Sequence, residues 1–79
     1  MEQSLQKYYE NQFSMMASEG WKDLMEDLTQ LVTELNNIRT ATDAQQLYFR
    51  QGQLDILDLV INRRKACEEV YEQLMEESQ

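Results

Sequence analysis

From Asp43 to about Glu76 the chain keeps a heptad-like rhythm. Phe49, Gln53, Ile56, Val60, Arg63, Cys67, Val70 and Leu74 fall at alternating steps of four and three, which aligns them on one side of an α-helix, as in a coiled-coil seam. The stretch has no proline, and Gly52 is its single glycine. A helix of that length would reach roughly 50 Å at 1.5 Å per residue. A chain of 79 residues cannot wrap such a rod, so the remainder must run alongside it.

Two shorter helical patterns precede it. Leu5, Tyr8, Tyr9, Phe13 and Met16 recur at helical spacing and predict a first helix over about 2–17. Ser18-Glu19-Gly20 interrupts it. Ser18 suits an N-cap, and Glu19 and Asp23 put negative charge where the new helix's dipole favours it. Trp21, Leu24, Leu28, Leu31, Leu35 and Ile38 then repeat at three, four, three, four, three, with Met25 and Val32 widening the stripe. They predict a second helix over about 19–40. Extended backwards, this phase meets Ala17, Ser14, Glu10 and Lys7. The first two helices are therefore out of phase, and a hinge near Ser18–Gly20 is expected between them.

Thr40-Ala41-Thr42-Asp43 is the other break. Thr42 to Gln45 reads as a capping box, opening a third helix over about 43–76. So short a connection makes helices two and three antiparallel neighbours. With the turn near residues 41–42, facing positions sum to about 83–84. Leu35 then meets Phe49, Leu31 meets Gly52 or Gln53, Leu28 meets Ile56, and Leu24 meets Val60, with Trp21 beside Arg63. The same sum pairs Met16 with Cys67, Phe13 with Val70 and Tyr9 with Leu74. The expected fold is all-α. It is a long antiparallel helical hairpin with coiled-coil-like packing, whose short N-terminal helix continues the first arm instead of folding back along helix two. Trp21, Leu24, Leu28, Leu31, Leu35, Phe49, Gly52, Ile56 and Val60 are the expected packing residues.

A second stripe, Leu47, Leu54, Leu57 and Ile61 with Arg50 among them, lies roughly 100° from that seam. A two-helix hairpin cannot cover both stripes, and surplus apolar surface signals a partner. These five are the expected partner-binding residues, and self-association is expected.

Composition narrows the function. At 42% hydrophobic and 28% charged, the chain reads as one small helical domain, neither disordered tail nor membrane protein. Its longest aliphatic run is Leu59-Val60-Ile61, far short of a span. No basic start or apolar stretch follows Met1-Glu2-Gln3, which speaks against a signal peptide. A single cysteine, Cys67, excludes an internal disulfide and fits a reducing compartment. The net charge of −8 argues against nucleic acid and anionic lipid as direct partners. The chain has no histidine, so the commonest general base and transition-metal ligand are absent.

Remaining candidates have bland readings beside them. Gly52 could admit a partner backbone, or could make room for Leu31 or Leu28 inside the hairpin, the preferred reading. Asn62-Arg63-Arg64-Lys65 could bind phosphate, but Arg64–Glu68 and Lys65–Glu69 have intrahelical pair spacing and Arg63 can stack on Trp21. Asp55–Asp58 and Glu72–Glu76 read as a solvated face in the absence of a calcium-loop pattern. Cys67 reads as a small buried hydrophobe. No hydroxyl has a histidine to activate it and there is no phosphate loop, so no catalytic residue, metal or cofactor is expected. Glu68, Glu69, Glu72, Glu76 and Glu77 oppose the dipole at a helix end, which predicts fraying from about Met75.

Two segments, Glu19-Gly20-Trp21-Lys22-Asp23-Leu24 and Leu47-Tyr48-Phe49-Arg50-Gln51-Gly52-Gln53-Leu54, resemble small helical proteins of podovirus-type tailed bacteriophages. The likeness spans roughly Tyr8 to Ile61. It implies phage origin and carries over no functional residue. The leading expectation is a non-enzymatic interaction protein, scaffold-like or virion-associated, that binds itself or a phage structural protein in host cytoplasm or virion. The alternative is a small acidic inhibitor occupying a basic site on a host protein. A coiled-coil adaptor unrelated to phage is the third reading.

Overall fold

The computed structural model describes residues 2–77, which form four α-helices: α1 (Gln3–Met16), α2 (Glu19–Leu35), α3 (Ala44–Ile61) and α4 (Arg63–Glu77). A 3-10 turn, Ile38–Thr40, lies between α2 and α3. The fold is all-α. α2 packs chiefly on α3 and α1 on α4, so α1 continues the first arm and does not fold back along α2. The molecule measures 53 × 27 × 16 Å, the long dimension of a hairpin in which both arms are broken midway.

Each break has a local cause. At the first, Ser18 Oγ accepts the Trp21 amide at 3.2 Å and donates to the Met15 carbonyl at 2.7 Å. One side chain thus closes α1 and caps α2, as the sequence predicts. The second break, at Asn62, is not in the predicted helix over 43–76. The Asn62 amide and its Nδ2 both donate to the Asp58 carbonyl, at 2.9 and 2.8 Å, while its backbone sits at φ −90°, ψ 9°. An asparagine side chain that competes for a backbone acceptor weakens the helix at that residue. The helix resumes with Ala66 N donating to Asn62 O at 3.0 Å.

The predicted second helix also stops early, at Leu35 and not near residue 40. Asn37 leaves the helical region at φ −78°, ψ 90°, and its Oδ1 accepts the Arg39 amide at 3.2 Å. The cap of α3 is shifted by one residue from the predicted box. Asp43 Oδ1 accepts the Gln46 amide at 2.8 Å, and Gln46 Oε1 accepts the Thr42 amide at 2.9 Å. α4 runs through Glu77, one residue past the expected helix end at about 76.

Packing is uneven along the hairpin. Met16 and Cys67, at 3% and 1% exposure, are the two fully buried hydrophobic residues among those described. Both lie in the α1/α4 half, where the register argument places them. Beside them Phe13 meets Tyr71 edge-on, ring centroids 5.5 Å apart, and Tyr9 meets the same ring at 6.2 Å. Phe13 therefore packs on Tyr71, one position beyond the Val70 of the register. Arg63 departs from the register too: its Nη2 donates to Tyr8 Oη at 2.7 Å, so Tyr8 replaces Trp21 as its partner. In the α2/α3 half no residue is fully buried.

Candidate functional site

α3 is apolar over more than half its circumference. Taking roughly 100° per residue, one half carries Leu47, Arg50, Leu54, Leu57 and Ile61, and the other Tyr48, Phe49, Gly52, Ile56 and Leu59. A helix of this kind can turn either stripe inward. The structure turns the first one in. Arg50, Leu54, Leu57 and Ile61 are half-buried, as are Trp21, Met25, Leu28, Val32 and Leu35 across the seam. The five residues expected to bind a partner thus lie on the side of α3 that faces the hairpin, although Leu47 stays largely exposed.

The expected packing set is corrected in turn. Phe49 is 69% exposed and Ile56 is 64% exposed, so neither meets Leu35 or Leu28 as the register sum requires. Tyr48 and Leu59 are more open still. A Cβ built on Gly52 would meet nothing within 4 Å, so this glycine does not make room for Leu31. Leu24 and Leu31 are themselves exposed at the margin of the seam, while Val60 is half-buried. Relative to expectation, α3 is turned by about one residue, or roughly 100°.

Arg50 supplies a reason for that turn. Its Nη1 donates to the Asn37 carbonyl at 3.0 Å and to Thr40 Oγ1 at 2.6 Å, and its Nη2 donates to the Thr40 carbonyl at 3.2 Å. The Asn37 carbonyl also accepts the Thr40 amide and Oγ1, at 3.1 and 2.8 Å, so Arg50 adds a third donor there and takes the Thr40 carbonyl as well. A guanidinium satisfies several acceptors at once because its donors form a planar fork. Holding Arg50 against the turn brings Leu54, Leu57 and Ile61, on the same helix face, toward α2 and leaves Phe49 and Ile56 outside.

The exposed side forms an open groove of about 670 Å³, lined by Leu31, Leu35, Tyr48, Phe49, Gly52 and Ile56, with Gln53 and Leu57 at its edges. None of these residues is charged. By helix phase Asp58 falls on the far side of α3, whereas Asp55, seven residues after Tyr48 and four before Leu59, borders the outer face. Small-molecule sites orient a ligand with a few convergent polar groups, and the Gln53 amide and the Tyr48 hydroxyl are the only polar side-chain groups in this lining. The groove suits an apolar helix face better than a metabolite.

Elsewhere, the basic cluster is partly absorbed: Arg64 Nε pairs with Glu68 at 3.3 Å on an exposed face, and Arg63 is held by Tyr8. Among the described residues no group of three or more His, Cys, Asp or Glu is placed to hold a metal ion. No described helix is long and apolar enough to cross a membrane. The thiol of Cys67 is free and buried. No protein family, curated protein or solved structure matches the chain.

Proposed function

We propose that this chain is a non-enzymatic protein-interaction piece, scaffold-like or virion-associated, used in bacteriophage particle assembly. The observation that carries the interaction reading is the outer side of α3. Tyr48, Phe49, Ile56 and Leu59 are all largely exposed on one helix face, with Asp55 at its edge. Exposed apolar patches of this kind mark interaction sites in small proteins. The phage setting, host cytoplasm or virion, rests on the resemblance of Glu19–Leu24 and Leu47–Leu54.

The acidic-inhibitor reading keeps one observation in its favour. α4 stays helical through Glu77, and Glu68, Glu69, Glu72, Glu76 and Glu77 are all exposed on it, so the carboxylate row is held on a helix. The two readings differ in chemistry: an apolar contact tolerates salt, whereas a charge contact is screened. The test is binding of the purified protein to purified virions and their separated structural proteins across a salt series. Assembly use predicts binding that survives moderate salt and the exchange of all five glutamates for glutamine, and that is lost in Phe49→Glu with Ile56→Glu. Loss in the glutamine variant together with dissociation in moderate salt would replace the assembly reading by the inhibitor.

A further inference from the structure

We propose that the outer face of α3 pairs antiparallel with α3 of a second copy of this chain, with the two-fold axis passing beside Gly52. The inference rests on the reading of that face as a binding surface, and it names the occupant.

The first argument is area. The chain exposes 6324 Å², whereas a compact monomer of this mass would expose about 5,000 Å². Its radius of gyration is 16.8 Å, against about 12 Å for a compact chain of this length. The excess, about 1,300 Å², exceeds the roughly 800 Å² that each partner buries in a standard interface. A hairpin only two helices thick has no third layer of its own. A second copy supplies that layer on the side where apolar area is concentrated.

The second argument is self-complementarity, which a two-fold interface requires. Antiparallel pairing centred between Gly52 and Gln53 sets Phe49 of one copy against Ile56 of the other, and the reverse. Gln45 falls opposite Val60 in the same register. Phe49, Gln53 and Ile56 repeat at four and three, the spacing of a coiled-coil seam, and the hairpin leaves these three exposed, whereas Val60, next in the series, is half-buried. At the axis, where the two backbones come closest, the residue is Gly52 with open space at its Cβ position.

Charge selects the antiparallel direction. Each chain carries −8, with a dense row from Glu68 to Glu77. That row begins sixteen residues beyond Gly52, roughly 24 Å along the helix. Antiparallel pairing sends the two rows to opposite ends, roughly 50 Å apart and well beyond the Debye length of about 8 Å. Parallel pairing would set them side by side. Phe49, Gln53 and Ile56 at the contact carry no charge and Asp55 only borders it, so added salt strengthens the dimer by screening the overall repulsion.

Sedimentation of the full chain across the micromolar range tests the pairing. The wild type is expected to be dimeric, more so at higher salt. Phe49→Glu with Ile56→Glu is expected to keep its helical circular dichroism and to weaken dimerisation by roughly a hundredfold. Oxidative cross-linking tests the register independently. Gly52→Cys should form a disulfide dimer, as should a mixture of Phe49→Cys and Ile56→Cys chains. Leu59→Cys alone should not, because its two copies would lie roughly 20 Å apart, too far for a disulfide. A wild type that stays monomeric, a dimer that survives the double glutamate variant, or ready self-linking of Leu59→Cys would each overturn the proposal. A monomer that still binds virion proteins through Phe49 would leave the interaction function standing. A monomer that binds none of them would remove both.

Discussion

The two faces of α3 are chemically alike and structurally opposite. The inner face offers Leu47, Leu54, Leu57 and Ile61, and the outer face Tyr48, Phe49, Ile56 and Leu59. Hydrophobicity alone barely separates the two and does not by itself put the outer face outside. That face lies outside because the inner face also carries Arg50, whose guanidinium holds the turn at Asn37 and Thr40. Net hydrogen bonds contribute about 1 kcal/mol each, more when one partner is charged. Where two apolar stripes are nearly equal, such a contribution suffices to choose between them. The stripe that loses remains available to a second chain.

The largest effect should come from placing charge on each face in turn. Leu57→Glu with Ile61→Glu puts carboxylates into the half-buried seam and should cost at least about 3 kcal/mol, enough to unfold so small a domain in thermal or urea melts. Phe49→Glu with Ile56→Glu should leave the isolated hairpin folded. Equal damage from both pairs would erase the distinction between the faces.

Next in size is Arg50→Ala, which should cost about 1–2 kcal/mol. It should also speed amide exchange at Thr40 and Ala41, whose amides bond within the turn. Unchanged exchange there would mean that Arg50 does not hold the turn. Asp43→Ala removes the acceptor of the Gln46 amide and should cost about 1 kcal/mol, whereas Thr42→Ala should cost much less because the cap is one residue later.

These sites also show what was legible in the sequence. The hinge at Ser18 was legible because two out-of-phase stripes must meet at a break. The buried positions of Met16 and Cys67 followed from the register of the hairpin. The inward stripe of α3 was not legible, since 49/53/56/60 and 47/50/54/57/61 both satisfy helical periodicity and pattern alone cannot rank them. The deciding residue, Arg50, reads as a surface cation until the turn it bonds has a shape. Tyr71 was overlooked for a related reason: it sits one position beyond the extrapolated stripe, yet receives both Phe13 and Tyr9. The break at Asn62 had a sequence signal, an asparagine inside a helical run, but its effect depends on the side chain turning back to Asp58.

The smallest effect has the most informative sign. Were Gly52 packed inside the hairpin, any added side chain would destabilise it. With open space at its Cβ, Gly52→Ala should stabilise the helix by about 0.5–1 kcal/mol, measured in the Phe49→Glu, Ile56→Glu background so that association does not intervene. A lowered melting temperature would put Gly52 back in the seam.

The claim that α3 presents Phe49 outward and Leu54 inward is most directly tested by thiol labelling of single substitutions at high dilution. Phe49→Cys should react at close to the rate of an unfolded reference, while Leu54→Cys should be at least about tenfold slower and the native Cys67 slower again. As concentration rises into the micromolar range, Phe49→Cys alone should become protected. A Phe49→Cys thiol shielded even at high dilution, beside a freely reactive Leu54→Cys, would show the hairpin closed on the other stripe and contradict the account.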